Sequence, residues 1–149
     1  MDKMHSVSED VATAEDRLIH QLYQTLRVFS KTLNTAICAS GIYSSEWTVL
    51  KLVKEHGTIS QVEMIEYLGV EPAAISKTLA KLEKKQVIER YYNKTGRGKI
   101  IALTAEGLRL YEALDAIVRQ HRQKALQGIG PQEQQILYRL LQRMDANVR

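Results

Sequence analysis

Cationic side chains are concentrated between residues 70 and 100 of this 149-residue sequence. That segment holds eight lysines and arginines against three glutamates, a net charge of +5, whereas the whole chain carries +4 and the remainder therefore −1. The eight cations are Lys77, Lys81, Lys84, Lys85, Arg90, Lys94, Arg97 and Lys99. A positive charge confined to one segment is typical of a protein that binds a polyanion.

Four of these lysines belong to a pattern that predicts an amphipathic helix over residues 71–85. Pro72 suits the first turn, where an N–H has no intrahelical partner. Ile75, Leu79 and Leu82 recur as one apolar stripe. The opposite face carries small and cationic side chains: Ala73, Ser76, Lys77, Ala80, Lys81 and Lys84. Such a flat, positive face can lie in the major groove of DNA, although a solvated helix with ordinary surface lysines explains this stretch equally well.

A shorter helix is predicted just before this segment. Ser60 and Glu63 form an S-x-x-E capping box at its start, and Gly69 ends it. Its apolar residues are Val62, Ile65 and Leu68. A helix, a tight turn and a second helix form a helix-turn-helix arrangement, in which the second helix contacts the bases.

Two strand-like segments follow the 71–85 helix. Residues 87–92 and 99–104 are rich in β-branched and aromatic side chains. Between them, residues 93–98 (NKTGRG) contain two glycines and two cations, which fits the tip of a β-hairpin longer than a two-residue turn. A nucleotide-binding phosphate loop is not indicated, because the GKS or GKT sequence is missing. Beside a helix-turn-helix, such a hairpin is a wing.

Long helical patterns lie on both sides of this unit. Residues 9–39 contain no glycine or proline and predict a helix that ends at Gly41. A helix of that length cannot hide its apolar stripe inside so small a domain, so we expect it to pack partly against a second subunit. Thr104 caps another long helix that ends near Gly128, and Pro131 starts a final helix. The stripe of the final helix comprises Ile136, Leu137, Leu140, Leu141 and Met144.

One further helix is predicted directly after the first. Ser44 is its expected N-cap, and Gly57 suits a left-handed position just past its end. Trp47, Leu50 and Val53 are spaced to face the core.

Composition and motifs exclude several classes of protein. Cys38 is the only cysteine, so no intramolecular disulfide can form. No cation lies close enough to activate its thiol, and we expect it to pack in the core. The N-terminus lacks the apolar run of a signal peptide and no stretch approaches a membrane span, so the sequence predicts a cytoplasmic protein with no membrane partner.

The sequence shows no pattern for catalysis or metal binding. Its four histidines, His5, His20, His56 and His121, have no ligand spacing with acidic residues or the cysteine. No nucleophile–base pair and no cofactor loop is present. We therefore expect no enzyme, no metal and no cofactor.

Taken together, these elements resemble the MarR family of bacterial winged-helix transcription regulators. The resemblance is carried by residues 44–90 and by the LTAEG run at 103–107, and it covers essentially the whole chain. It implies a mainly α fold with a small β-hairpin wing, a winged helix-turn-helix with long N- and C-terminal dimerisation helices. It also implies a homodimer that binds a palindromic operator.

The resemblance assigns site residues as well. Carried over by position, the residues facing the major groove are Pro72, Ala73, Ala74, Ser76, Lys77 and Lys81. Arg97 matches a wing-tip arginine that enters the adjacent minor groove. The family commonly has an aspartate two residues earlier, where this chain has Thr95, so we expect a more mobile wing. Phe29 and Trp47 would line an effector pocket, although core packing is the default for both.

The sequence therefore predicts a homodimeric DNA-binding transcription regulator, a repressor released by a small-molecule or stress signal. Residues 1–149 would form one MarR-type domain, with a DNA-binding lobe over about 42–103 and dimerisation helices over about 9–41 and 104–147. Phosphate or groove contacts would come from Lys77, Lys81, Lys84, Lys94, Arg97 and Lys99. The alternatives are a winged-helix protein–protein docking module, a double-stranded RNA binder and a small-molecule-binding or enzymatic helical protein.

Overall fold

The computed structural model describes residues 3–92, 94 and 98–149, with side chains from residue 13 onward. Within these ranges the chain forms six α-helices and three short strands. The helices are α1 (Lys3–Ile37), α2 (Ser44–His56), α3 (Gln61–Leu68), α4 (Pro72–Lys84), α5 (Ala105–Ala125) and α6 (Pro131–Val148). The strands are β1 (Thr58–Ser60), β2 (Ile88–Tyr92) and β3 (Lys99–Leu103). The predicted fold class, mainly α with a small β-hairpin wing, is confirmed.

Most helices begin where the sequence predicts. Pro72 and Pro131 occupy the first turns of α4 and α6, where a missing N–H removes no hydrogen bond. The capping box of α3 forms, because the Glu63 N–H donates to Ser60 Oγ at 3.1 Å and the Ser60 N–H donates to Glu63 Oε2 at 2.9 Å. Thr104 caps α5, because its hydroxyl oxygen accepts the backbone N–H of Gly107, the third residue of the helix.

Ser44 is not the N-cap of α2, contrary to the prediction. The N-cap is Tyr43, which makes no side-chain capping bond, and Ser44 is already helical. The Ser44 N–H donates instead to Asn34 Oδ1 of α1 at 2.6 Å. A side chain from another helix therefore satisfies this helix start, and local capping rules cannot anticipate such a partner.

The core lies between α2, α4, α5 and the sheet. The predicted inward faces of α2 and α4 are buried, and each of these side chains is at most 4% exposed: Trp47, Leu50, Val53, Ile75, Leu79 and Leu82. The stripe predicted for α3 is wrong in part, because Val62 is 60% exposed while Met64 is fully buried. In a helix of only eight residues, periodicity leaves the core-facing side ambiguous.

The sheet contains one strand that the sequence did not predict. Its order is β1–β3–β2, with both pairings antiparallel. Thr58 of β1 lies opposite Ala102 of β3, and Ser60 lies opposite Ile100. A three-residue strand is too short to show a period-two pattern, and its partner is distant in sequence. The predicted hairpin is formed by β2 and β3, while residues 93 and 95–97 of its tip lie outside the described residues.

The prediction that Cys38 packs in the core is wrong, because this residue lies in an exposed turn after α1. A short 3-10 turn, Cys38–Ser40, follows the helix, and Gly41 closes it with a positive φ of 76°. Cys38 is exposed, and its thiol donates to the Thr35 carbonyl at 3.2 Å. The tighter turn leaves Ile37, which is 1% exposed, as the last core residue of α1.

The long helices leave extensive apolar surface uncovered. α5 packs along α1 and α2, but within the described structure α6 has no buried side chain. Its exposed apolar residues include Ile136, Leu137, Leu140 and Leu141, and α1 adds Leu18, Tyr23, Leu26 and Val28. Contiguous exposed apolar surface marks an interaction site. None of the helices in the described ranges is long and apolar enough to cross a membrane.

Candidate nucleic-acid interface

One face of α4 is directed away from the core. Because Ile75, Leu79 and Leu82 point inward, the residues on the opposite side remain in solvent. These exposed residues are Pro72, Ala73, Ala74, Ser76, Lys77, Lys81 and Lys84. The structure therefore brings together every α4 residue that the sequence assigned to DNA contact. We refer to this set as the exposed face of α4.

The hairpin adds two exposed cations. Lys94 and Lys99 are both in solvent, and Lys99 Nζ lies 5.7 Å from the centre of the Tyr92 ring. At that distance cation–π attraction holds the ammonium near the strand. Arg97, the predicted wing-tip contact, lies outside the described residues.

A polar side chain of α3 reaches the exposed face of α4. Gln61, the first residue of α3, donates from Nε2 to Ser76 Oγ at 2.9 Å. The bond connects the two helices of the helix-turn-helix and places an amide beside the exposed face. Gln61 was not predicted as a site residue. Its position at the start of the first helix, the helix that crosses the DNA backbone in this motif, was the available signal.

Lys85 differs from the lysines of the exposed face because it is paired with a buried carboxylate, while its own side chain is 36% exposed. Its Nζ lies 2.6 Å from Oε2 of Glu46 in the first turn of α2, and it also donates to the Gly41 carbonyl at 2.7 Å. Glu46 is only 2% exposed. Burying an unpaired carboxylate is costly, so this ammonium is held in place by the charge that it neutralises.

Arg90 is also paired. Its Nε and Nη2 donate to the two carboxylate oxygens of Glu83 at 2.6 and 3.3 Å, which joins β2 to the last turns of α4. The hydrogen bond from Arg90, together with the charges of Arg90 and Lys99, lowers the pKa of Glu83 below its ordinary value. The same hydrogen bond raises the pKa of Arg90. Both groups are therefore charged at neutral pH.

Five lysines of the 70–100 segment have no ion-pair partner among the described residues. They are Lys77, Lys81, Lys84, Lys94 and Lys99. An exposed ammonium without a carboxylate partner can neutralise a phosphate without first breaking an ion pair. Among the described residues, the unpaired positive charge of this segment therefore comes from five lysines, whereas its sequence contains eight cations.

A cavity of about 710 Å³ lies between α1 and α5, and Phe29 is among its lining residues. The Phe29 ring meets the His121 ring edge-on, with centroids 4.5 Å apart. His121 Nε2 is hydrogen-bonded with Thr32 Oγ1 at 2.8 Å. Its Nδ1 is buried and has no hydrogen-bond partner in the described part of the chain.

Trp47 lies outside that cavity. It stacks on Tyr111 of α5, with ring centroids 5.0 Å apart and planes 13° from parallel. Burial, with a smaller contribution from Asp115, raises the pKa of Tyr111. The two residues predicted for an effector pocket therefore do not share a cavity, since Phe29 lines one and Trp47 packs in the core.

Comparisons with known proteins agree with this geometry. Residues 42–97 match the MarR family. The chain is 31% identical over 109 residues to YwoH of Bacillus subtilis, described as an uncharacterized HTH-type transcriptional regulator, covering 73% of this chain and 80% of that protein. It also superposes on a mutant MarR from E. coli in complex with operator DNA, with a TM-score of 0.77, 25% identity and coverage of 87% of this chain and 91% of that one. A probable transcriptional regulator from Pseudomonas aeruginosa gives a TM-score of 0.78 at 25% identity, covering 88% and 98%.

The fold and the exposed basic helix are those of a winged-helix transcription regulator. The chain belongs to the MarR family. This class of protein is regulatory and not enzymatic, in agreement with the sequence analysis.

Proposed function

We propose that this protein is a homodimeric, sequence-specific DNA-binding repressor that recognises a palindromic operator. The observation that carries the proposal is the exposed face of α4, whose lysines have no carboxylate partner among the described residues. The superposition on a MarR protein in complex with operator DNA supports the same function.

The proposed dimer is supported by the apolar surface that the single chain leaves uncovered. α6 and α1 both expose leucines in rows along one side, and a second copy of the chain can cover them. In this proposal residues 1–149 form one MarR-type domain. The DNA-binding lobe spans about 42–103, and the dimerisation region combines about 9–41 with about 104–147.

The proposed mechanism places two copies of α4 in successive major grooves on one side of the duplex, about 34–36 Å apart. Small side chains of the exposed face let the helix approach the bases, and lysines neutralise the flanking phosphates. The proposed contacts are Pro72, Ala73, Ala74, Ser76, Lys77, Lys81, Lys84, Lys94, Arg97 and Lys99. Each neutralised phosphate adds about −0.9 to the slope of log K against log salt concentration.

The release step of the proposal uses the cavity between α1 and α5. A small molecule bound beside Phe29 and His121 contacts both long helices, and it weakens DNA binding if it favours a dimer with wrongly spaced copies of α4. Trp47 contributes by packing against α5 rather than by touching the ligand.

The proposal is tested by selecting bound fragments from a pool of random duplex DNA. Enrichment of a palindrome is the expected result. A protein–protein docking module would enrich no sequence and would show no salt-dependent affinity for duplexes, which would overturn the proposal. Competition with duplex RNA separates DNA recognition from shape-based binding of RNA.

Substitution of single lysines tests the proposed contacts. Lys81→Ala removes one exposed ammonium, so we expect weaker operator binding and a salt slope that is shallower by about 0.9. Lys54→Ala, at an exposed position on α2 outside the proposed interface, is the matched control and should bind as the unchanged protein does. Equal slopes for both variants would remove Lys81 from the interface.

A further inference from the structure

The Glu46–Lys85 pair connects parts of the chain that are far apart in sequence. Glu46 belongs to the first turn of α2, Lys85 caps the C-terminal end of α4, and Gly41 lies in the turn between α1 and α2. The Lys85 ammonium contacts both others, at 2.6 Å to the carboxylate and 2.7 Å to the carbonyl oxygen.

The same turn is fixed to the dimerisation region. Asn34 of α1 accepts the Ser44 N–H at 2.6 Å, three residues beyond the carbonyl that Lys85 contacts. The turn is therefore held to α1 by the Asn34 hydrogen bond and to the end of α4 by the Lys85 contact. The latter contact lies one residue after Lys84, which belongs to the exposed face.

We propose that the Glu46–Lys85 pair positions α4 for DNA binding, and that Lys85 acts through this pair and not by contacting phosphate. The inference rests on the proposed DNA-binding function. Lys85 is a positioning residue, since its ammonium neutralises a carboxylate that is almost wholly buried. The pair sets the orientation of α4 relative to α1, and thereby the spacing of the two copies of α4 in the dimer.

A positioning role for the pair and long-range electrostatics predict opposite changes in DNA affinity for the substitution Glu46→Gln. Glu46→Gln removes a negative charge and makes the protein more positive, so long-range electrostatics alone predicts tighter DNA binding. If the carboxylate positions α4, the same change weakens binding, because the ion pair that holds the end of the helix is replaced by a weaker hydrogen bond from the Lys85 ammonium to an uncharged amide oxygen.

Adjacent lysines provide a matched comparison. Lys84→Gln should make the salt slope shallower by about 0.9, as expected for one lost phosphate contact. Lys85→Gln should lower the affinity roughly fivefold or more, within the usual range for coupling between sites, with no change in the slope. Glu46→Gln should lower the affinity in the same direction, and the double variant Glu46→Gln, Lys85→Gln should be no weaker than Lys85→Gln alone.

Amide hydrogen exchange of the last turn of α4 gives a readout that does not depend on DNA. We expect faster exchange at residues 82–87 in the Lys85→Gln and Glu46→Gln variants and unchanged exchange in Lys84→Gln. Lys85→Arg keeps a cation within reach of the carboxylate and should restore both slow exchange and affinity.

Tighter DNA binding by Glu46→Gln would overturn the inference, and so would a shallower salt slope for Lys85→Gln that matches that of Lys84→Gln. Unchanged exchange in all variants would also overturn it. If the unchanged protein binds no duplex in a salt-dependent way, the proposed function fails instead, and the exchange data still decide whether the pair holds α4.

Discussion

Gly107 lies where the first turn of α5 passes the backbone of Val87. A Cβ at this position would overlap the Val87 carbonyl oxygen, which also accepts the Thr104 N–H at 3.1 Å. The Thr104 hydroxyl donates to the carbonyl of Gln86 at 2.7 Å. The start of α5 and the segment after α4 therefore approach too closely for any side chain at residue 107.

Gly107→Ala should destabilise the protein, although alanine is the better helix former by about 1 kcal/mol. The overlap with backbone forces α5 to shift, and such overpacking typically costs about 1–3 kcal/mol. Urea unfolding measures the difference. Gly130→Ala is the control, because the nearest atom to its Cβ would be a side-chain oxygen at 3.7 Å, and its cost should stay below about 1 kcal/mol.

Gln86 has a left-handed backbone, with φ of 61°, as the only non-glycine residue of positive φ in the described ranges. Its N–H donates to the Glu83 carbonyl at 2.9 Å, and the Val87 N–H donates to the Leu82 carbonyl at 3.2 Å. These two bonds form the motif that commonly ends helices with glycine at this position. The end of α4 therefore carries backbone strain that glycine would relieve.

Gln86→Gly should stabilise the protein by about 1 kcal/mol, the cost of placing a side chain in the left-handed region. The midpoint of urea unfolding would rise. Gln127→Gly, in the segment after α5 where φ is not positive, should lower it instead, because glycine there only adds freedom to the unfolded chain. A lower midpoint for both variants would count against relief of strain at Gln86.

The lysines of α4 and the lysine that follows it show which properties of a side chain can be predicted from sequence. Lys77, Lys81 and Lys84 fall on one face because helical periodicity places them opposite the buried stripe. Lys85 has the same chemistry and follows directly, yet it pairs with Glu46, 39 residues away in the chain. The local pattern predicts on which side of a helix a side chain lies. The ion-pair partner of a charged side chain depends instead on which distant segment packs beside it.

At the scale of elements, the Glu83–Arg90 pair holds the root of the hairpin against α4. Because the pKa of Glu83 in the folded protein is below its ordinary value of 4.5, the pair stabilises the fold at pH values above that value. The contribution is lost as the pH falls through the lowered pKa. Salt should also weaken it, since the Glu83 carboxylate is exposed to solvent.

Glu83→Gln should lower stability at neutral pH and have little effect in acid. The difference in unfolding free energy between the variant and the unchanged protein should therefore shrink as the pH is lowered through the acidic range. Glu89→Gln, an exposed glutamate of β2 outside the ion pairs of the described residues, is the control. A pH-independent difference for Glu83→Gln would mean that packing, and not charge, carries its effect.

Element boundaries were predictable wherever a local chemical signal marks them. Prolines and capping residues marked the starts of α3, α4, α5 and α6, and the content of β-branched and aromatic residues located β2 and β3. The start of α2 and the existence of β1 depend instead on Asn34 and on pairing with β3. Both are long-range partners, and sequence pattern within one element contains no information about them.

At the scale of the whole molecule, the single chain leaves apolar side chains of its long helices exposed to solvent. The leucines of α6 remain in water along one side of the helix, and the cavity between α1 and α5 opens beside exposed apolar residues of α1. Periodicity located these stripes in the sequence. The length of α1 also indicated that so small a domain could not cover its stripe, whereas periodicity gave no such indication for α6.

Leu137→Asp combined with Leu141→Asp should give monomers or insoluble protein, because two carboxylates would be buried in the proposed dimer interface. Sedimentation velocity measures the oligomeric state. Gln135→Asp combined with Gln142→Asp adds the same charge on the opposite side of α6 and should leave the dimer intact. A well-folded dimer of the leucine variant would remove this stripe from the interface.

The shortest strand of the sheet, β1, connects the hairpin to the helix-turn-helix. Ser60 is both the last residue of β1, opposite Ile100 of β3, and the residue whose hydroxyl caps α3. Because one residue belongs to both contacts, we expect a displacement of β3 to be transmitted to the start of α3. If the proposed function holds, a ligand that displaces the hairpin will therefore also displace the helix-turn-helix.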